Sequence, residues 1–280
     1  MVKQNAYAKI NLFLDISRLR EDRYHDIISY MQTVSLCDEV TLERAEEITV
    51  HGNPGVLPEK DLTYRAAKAF FEHTEIDGGV KITLKKNIPM QGGLGGGSAD
   101  AAAVLRGLNE LYSAGLDDDE LRRIGGALGS DVPFCVSGGS MLAYRRGEQL
   151  FQAPKLPDCG IVIAAGRQGC STPLQFAELD RFYNDFCEYT PHTDMLDSLC
   201  NAASQGDIIG VCRELFNIFE KTDGYDAEIA HTIKATGAKG VLMSGSGSSI
   251  FGIYKTEAGA KAAAAELVSK GIKAYACRPI

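Results

Sequence analysis

The segment with the clearest chemical meaning is Gly92-Gly93-Leu94-Gly95-Gly96-Gly97-Ser98, with five glycines in its first six residues. Glycine lets a backbone take positive φ and approach a ligand closely. Ser98 is expected as the N-cap of the helix that follows, whose positive end then faces the loop. Bare amides beside a helix N-terminus bind anions, and phosphate is the usual guest. A long flexible turn is the plain alternative, although turns seldom need five glycines. The familiar phosphate loops do not fit. A P-loop needs lysine where Ser98 stands. A dinucleotide fingerprint begun at Gly93 meets Ser98, and one begun at Gly95 meets Asp100, where glycine or alanine is required. The His-Arg-Asp and Asp-Phe-Gly pair of protein kinases is missing from the sequence. If this loop holds a nucleoside triphosphate, the cation must come from another segment.

Tyr7 to Leu14 alternates in polarity, which predicts a strand with one apolar face and puts Lys9 and Asn11 side by side. Asp131 follows Gly129-Ser130 and precedes the apolar run Val132 to Val136, expected as a strand. Locally Asp131 reads as a turn or cap aspartate. Ser171-Thr172-Pro173 opens a helix, with Thr172 as N-cap and Pro173 in the first turn. Phe176, four residues on, suits a helix core or a stacking platform. Asp100 lies just past the loop, where an acid complements the helix dipole or could help hold a cation.

Further along the chain, Ile27–Leu36, Glu39–Leu42, Ile48–Val50 and Val80–Leu84 read as strands, and Leu62–His73 as a helix. Ala101, Val104, Leu105, Leu108, Leu111 and Tyr112 trace one face of a helix that Gly115 is expected to stop. Asp117–Leu128 is a helix with an acidic first turn. The pattern changes near Pro154–Pro157. Beyond it come a strand at Gly160–Ala165, helices between about 172 and 236, strands at Gly240–Met243 and Ser249–Tyr254, a helix at Thr256–Lys270 and a strand at Lys273–Cys277. That order fits the split βαβ, ferredoxin-like pattern. The expectation is an α/β protein of two domains, 1–156 carrying the glycine-rich loop on a mixed sheet with helices, and 157–280 of βαββαβ type.

Lys plus Arg number 29 and Asp plus Glu 37, a formal charge of −8 over 280 residues. This argues against a nucleic-acid binder that works by neutralising phosphates, while leaving room for a local basic pocket. No apolar stretch reaches the roughly 18 residues of a spanning helix, and Met1 to Asn5 shows no apolar signal core. The cysteines include no Cys-x-x-Cys pair and several sit in apolar runs, so they are expected as reduced, mostly buried thiols of a cytoplasmic protein. The histidines include no metal-binding pair.

Pro89 through Ala103, read as Pro-x-x-x-Gly-Leu-Gly-Gly-Gly-Ser-Ala-Asp-Ala-Ala-Ala, resembles the phosphate loop of the GHMP kinases, which act on galactose, homoserine, mevalonate and phosphomevalonate. Ala8-Lys9-Ile10-Asn11-Leu12 with Tyr24-His25, Leu128 to Phe134, and Met243-Ser244-Gly245-Ser246-Gly247 resemble the bacterial branch that acts on a CDP-linked methylerythritol. The matches run in order from Ala8 to about Phe251. The resemblance implies a two-domain fold and an ATP-dependent kinase, using Mg²⁺, that phosphorylates the 2-hydroxyl of the methylerythritol unit in non-mevalonate isoprenoid synthesis. It implies that Asp131 and Lys9 are the catalytic pair, with Asp131 accepting the hydroxyl proton. Pro89, Gly92, Gly93, Leu94, Gly95, Gly96, Gly97 and Ser98 would bind the ATP phosphates. Asn11, Tyr24, His25, Thr172 and Phe176 would bind substrate, the last four around the cytidine, and Asp100 would help hold the metal. The partners implied are small molecules, with no nucleic acid and no membrane, and the protein would be a monomer or homodimer.

Three positions depart from the family pattern. Arg23 stands where glycine usually precedes Tyr-His, Tyr7 replaces a proline, and Asp61 replaces an asparagine in the segment resembling the adenine pocket. The alternatives are another kinase of the superfamily, of mevalonate or homoserine type, and a non-enzymatic relative that binds RNA. Tyr24-His25 and Phe176 weigh against the first, because a base-recognising pocket is useless to a substrate without a base. The net charge and the intact loop weigh against the second.

Overall fold

The computed structural model describes residues 1–53, 56–167, 169–186 and 188–280. In chain order the elements are β1 (Val2–Leu19), β2 (His25–Ala45), β3 (Thr49–His51), α1 (Leu62–Thr74), β4 (Gly79–Lys85), α2 (Gly96–Tyr112), α3 (Asp118–Gly126) and α4 (Val132–Ser137). They continue with β5 (Ser140–Arg145), β6 (Gln149–Gln152), β7 (Gly160–Ala164), α5 (Thr172–Tyr183), α6 (Thr193–Ser204) and α7 (Ile208–Arg213). The last are β8 (Phe216–Asn217), α8 (Ala227–Ala235), β9 (Gly240–Met243), β10 (Ile250–Tyr254), α9 (Glu257–Ser269) and β11 (Ala274–Cys277).

These form two compact units, one of Met1–Ala8, Cys37–Ile88 and Gly95–Gly138, the other of Lys9–Leu36, Pro89–Leu94 and Gly139–Ile280. In sequence the units interleave rather than meet near residue 156, because β1 and β2 run 18 and 21 residues and contribute to both.

In the first unit, residues Glu39–Ala45 of β2 run antiparallel to β4, and β3 adds in parallel. Along β4, Val80, Ile82 and Leu84 are buried while Lys81, Thr83 and Lys85 are exposed, the period-two signature of a sheet with one covered face. Phe70 of α1 and Val104, Leu105 and Leu108 of α2 join that core. Its alanines and Gly107 let α2 lie close, since a Cβ on Gly107 would fall 2.3 Å from Leu42. α3 starts with a full capping box between Asp117 and Glu120.

The second unit pairs β2 with β5 antiparallel, β5 with β6 antiparallel, and β1 with β8 in parallel. Its other sheet has the order β11-β7-β10-β9, all antiparallel. This is the ferredoxin-like arrangement expected from the order of elements. Ile229 and Ile233 of α8 and Ala260, Ala263 and Leu267 of α9 share one core with β7 and β10.

Several local expectations need correction. The run after Asp131 is the helix α4, not a strand; Pro133 sits in its first turn, where a missing N–H costs nothing. α2 begins at Gly96 with Gly95 as N-cap, so Ser98 is the third helical residue. Its C-cap is Ser113, two residues before Gly115. Ser171 holds the N-cap position of α5 without a side-chain cap bond, which places Thr172 at the first helical position. The seven described cysteines are free thiols, but only Cys159 and Cys277 are buried; Cys187 lies outside the described residues.

Candidate active site

The half of the glycine loop in the second unit is held through its carbonyl groups. The amide of Cys170 donates to Gln91 at 3.3 Å, that of Ser249 to Gly92 at 3.1 Å, and that of Lys9 to Leu94 at 3.0 Å. The Ser244 hydroxyl donates to the Gly93 carbonyl at 3.0 Å. Carbonyls of four consecutive residues are thus taken by protein donors, and the loop's amides are what it has to offer a ligand. Gly93 takes φ +71°, and a Cβ there would lie 2.0 Å from the Ser244 carbonyl oxygen, so the close approach requires glycine.

In the first unit, Gly95 at φ +68° turns the chain into α2 without a side-chain cap. The amides of Gly96, Gly97 and Ser98 open the helix without a side-chain cap bond from Gly95, an arrangement that suits an anion. Behind them Lys86 is ion-paired with both Asp38 and Asp100. Asp38 also accepts from the amides of Asn87 and, at 2.8 Å, Ile88, which fixes the entry to the loop. Asp100 is buried, and its Oδ1 has no hydrogen-bond partner among the described residues.

Burial pushes the Asp100 carboxyl up to about 7, against the opposing pull of Lys86. A native carboxyl raised above its unfolded value of 3.8 keeps protons that the unfolded chain releases, so stability falls as pH rises from about 4 to 7. Wild type is expected to lose stability relative to Asp100→Asn across that window, with the gap level above it. Denaturant midpoints at several pH values test this, and a gap independent of pH would show that the carboxyl ionises normally.

Lys9 and Asn11 share a face of β1, as their spacing predicts, and both are buried. Lys9 Nζ donates to Asn11 Oδ1 at 2.7 Å, and the Gly245 amide donates to the same oxygen at 3.1 Å. Asn11 Nδ2 donates to Ser29, whose hydroxyl donates to the Phe13 carbonyl. The amide oxygen of Asn11 therefore ties the lysine to the second glycine motif, which Asn217 braces from behind by donating to Met243 and Gly245. Asp131 lies at the start of α4 in the first unit, and its side chain makes no cap bond to that helix. Asp131 itself lies in a turn, as the local reading expects.

The residues expected around a base all belong to the second unit, where His25 and Phe176 are in contact and Tyr24 is not shown to join them. His25 stacks on Phe176 with ring centroids 4.6 Å apart and meets Phe186 edge-on. Its Nε2 lies 2.6 Å from Asp180 Oδ1. Thr172 shares a hydrogen bond of 2.8 Å with Ser246 of the glycine motif. Tyr24 is 58% exposed, with the Arg146 guanidinium over its ring. Asp180 was not anticipated from the sequence, yet Thr172, Phe176 and Asp180 are spaced by four along α5 and so share one helix face.

Comparison with known proteins gives this geometry a family. Residues 61–139 match the GHMP kinases N terminal domain, and residues 201–273 the GHMP kinases C terminal model. Over 263 residues the chain is 38% identical to the 4-diphosphocytidyl-2-C-methyl-D-erythritol kinase of Acetivibrio thermocellus, covering 91% of each. It is 40% identical over 260 residues to that of Exiguobacterium sibiricum, covering 90% of this chain and 88% of the relative. The chain belongs to the 4-diphosphocytidyl-2-C-methyl-D-erythritol kinase family. A crystal structure of 4-(cytidine 5'-diphospho)-2C-methyl-D-erythritol kinase, 32% identical, superposes with a TM-score of 0.78 over 99% of both chains. The L. major mevalonate kinase in complex with R-mevalonate gives the same TM-score at 18% identity, over 100% of this chain and 96% of that one, and shares the fold alone.

Two departures from the family pattern fall at defined conformations: Arg23 in a left-handed turn and Asp61 at a helix cap. Arg23 sits at φ +65° in the tight turn between β1 and β2, the conformation that the family glycine suits. Arg23→Gly is expected to stabilise the fold by about 0.5–1 kcal/mol, the left-handed cost less the extra freedom of glycine in the unfolded chain. An unchanged or lower denaturant midpoint would refute this. Asp61 caps α1 through the Thr63 amide and hydroxyl and accepts from Asn53, so it keeps the capping capacity of asparagine.

Proposed function

We propose that the protein transfers the γ-phosphoryl group of ATP to the 2-hydroxyl of 4-diphosphocytidyl-2-C-methyl-D-erythritol, releasing ADP and the 2-phosphate, in the non-mevalonate route to isoprenoid precursors. One observation carries the choice of substrate within the superfamily. The aromatic site of His25, Phe176 and Thr172 stands in the same unit as the buried Lys9–Asn11 pair, where a substrate bearing both a base and a polyol needs them.

Pro89, the loop glycines, Leu94 and Ser98 hold the ATP phosphates through backbone amides and the start of α2. Asn11 binds the polyol. Asp131 receives the hydroxyl proton as the new O–P bond forms and the bond to the leaving β-phosphate oxygen breaks. Lys9 supplies the positive charge the loop lacks. Phosphoryl transfer passes through a loose transition state, so positioning and charge outweigh the strength of the base. Tyr24, His25, Thr172 and Phe176 hold the cytidine.

Among the described residues no group of three or more His, Cys, Asp or Glu side chains could hold a metal by itself. Mg²⁺ commonly uses one or two carboxylates together with nucleotide phosphates, and Asp100 Oδ1, buried and without a hydrogen-bond partner among the described residues, fits that requirement. When bound, the ion would neutralise charge on the phosphates. No described helix is long and apolar enough to cross a membrane, and work in the cytoplasm on small soluble substrates completes the proposal.

The test is ADP release with the CDP-linked substrate set against mevalonate, homoserine and galactose. Turnover confined to the CDP-linked substrate is expected. Faster turnover of any of the others would replace the reading with a different kinase of the superfamily.

A further inference from the structure

We propose that Asp180 is a positioning residue that fixes the hydrogen-bonding character of His25 and thereby sets which pyrimidine the site accepts. The inference rests on the base-pocket reading above and adds a residue to it. An ionised carboxylate can only accept hydrogen bonds. With Asp180 Oδ1 2.6 Å from Nε2, that nitrogen carries a proton. In a neutral imidazole the other nitrogen then presents a lone pair. Phe176 covers a face of the ring and Phe186 meets it edge-on, so the imidazole is held in one plane. The carboxylate is itself well placed, being on the Thr172–Phe176 face of α5, one turn past the stacking residue.

Cytosine and uracil differ at position 4, where one has an amino donor and the other a carbonyl acceptor. An Nδ1 lone pair accepts from the amino group and repels the carbonyl oxygen. A buried polar group left without its partner makes the wrong base costly. Asp180 thus acts on specificity through His25 without touching the base.

The experiment measures binding of CDP, UDP and a non-hydrolysable ATP analogue to wild type, Asp180→Asn and Asp180→Glu. An asparagine amide can donate to Nε2 and move the ring proton to Nδ1. The CDP-over-UDP preference of wild type is expected to fall about tenfold or more in Asp180→Asn. Asp180→Glu should restore part of it, and affinity for the ATP analogue should hold in both. A merely structural role would lower CDP and UDP affinity together, and that result, or an unchanged ratio, overturns the inference while leaving the base pocket intact. If wild type does not distinguish CDP from UDP, the base-pocket reading falls and this inference falls with it. Nitrogen-15 spectra of wild type give a check that needs no variant. They should show Nε2 protonated and Nδ1 bare, and a proton on Nδ1 overturns the proposal.

Discussion

Asp131→Asn is expected to lose a hundredfold or more in turnover while binding ATP as wild type does, the usual scale for a lost proton acceptor. Asparagine keeps the shape of the side chain and its place at the start of α4, so the fold should stay intact. Lys9→Ala should be comparably damaging, because the ammonium is tied through Asn11 to the Gly245 segment and its loss disturbs charge and position together. The double variant should be little worse than either single one, since groups that act as a unit do not contribute additively. Near-normal turnover in folded Asp131→Asn protein would remove the residue from the mechanism. Losses that multiply in the double variant would show that the two residues work apart.

Gly93→Ala should be the most disruptive change in the loop. The added methyl would lie 2.0 Å from the Ser244 carbonyl oxygen and 3.1 Å from that of Gly247, at a backbone φ of +71°. Both obstacles are backbone, so neither can swing aside. Left-handed strain and overpacking together imply a loss of roughly 3 kcal/mol, or detachment of the loop. Gly97→Ala supplies the contrast. A Cβ there makes only ordinary contact with Leu62, 3.5 Å away, and alanine favours a helix over glycine by about 1 kcal/mol. That variant should be at least as stable as wild type yet bind the ATP analogue more weakly, because its methyl crowds the amides that receive phosphate. Calorimetry separates the two cases. Full ATP affinity in both variants would mean that the loop is only a turn.

Much of this was legible in the sequence because it is local. The alternation at Tyr7–Leu14 placed Lys9 beside Asn11, and the order of elements after residue 160 gave the antiparallel sheet that β11, β7, β10 and β9 form. The failures were of two kinds. Short apolar runs do not declare their period, so Val132–Val136 was expected as a strand although Pro133 suits the helical first turn it occupies. Cap positions slipped by a few residues because Gly95 and Ser113 take left-handed conformations at which the pattern only hints. The strands β5 and β6 gave no comparable signal. Contacts made across long separations left no trace at all: Asp180 reaches His25 from 155 residues away, and Asp38 reaches Lys86 from 48. The interleaving of the two units belongs to the same class, since it depends on where two long strands travel.

The anchoring of Gln91 to Leu94 changes how the glycine loop should be viewed in time. Composition suggests a supple segment that a nucleotide must tame, with the entropy of ordering lost at each binding event. Yet each of its four carbonyls is already held by a donor from elsewhere in the chain, at Lys9, Cys170, Ser244 and Ser249. The glycines serve reach rather than motion, and the ordering is completed when the protein folds. Amide hydrogens of Lys9, Cys170 and Ser249 should therefore exchange slowly before any nucleotide is added, and scarcely more slowly afterwards.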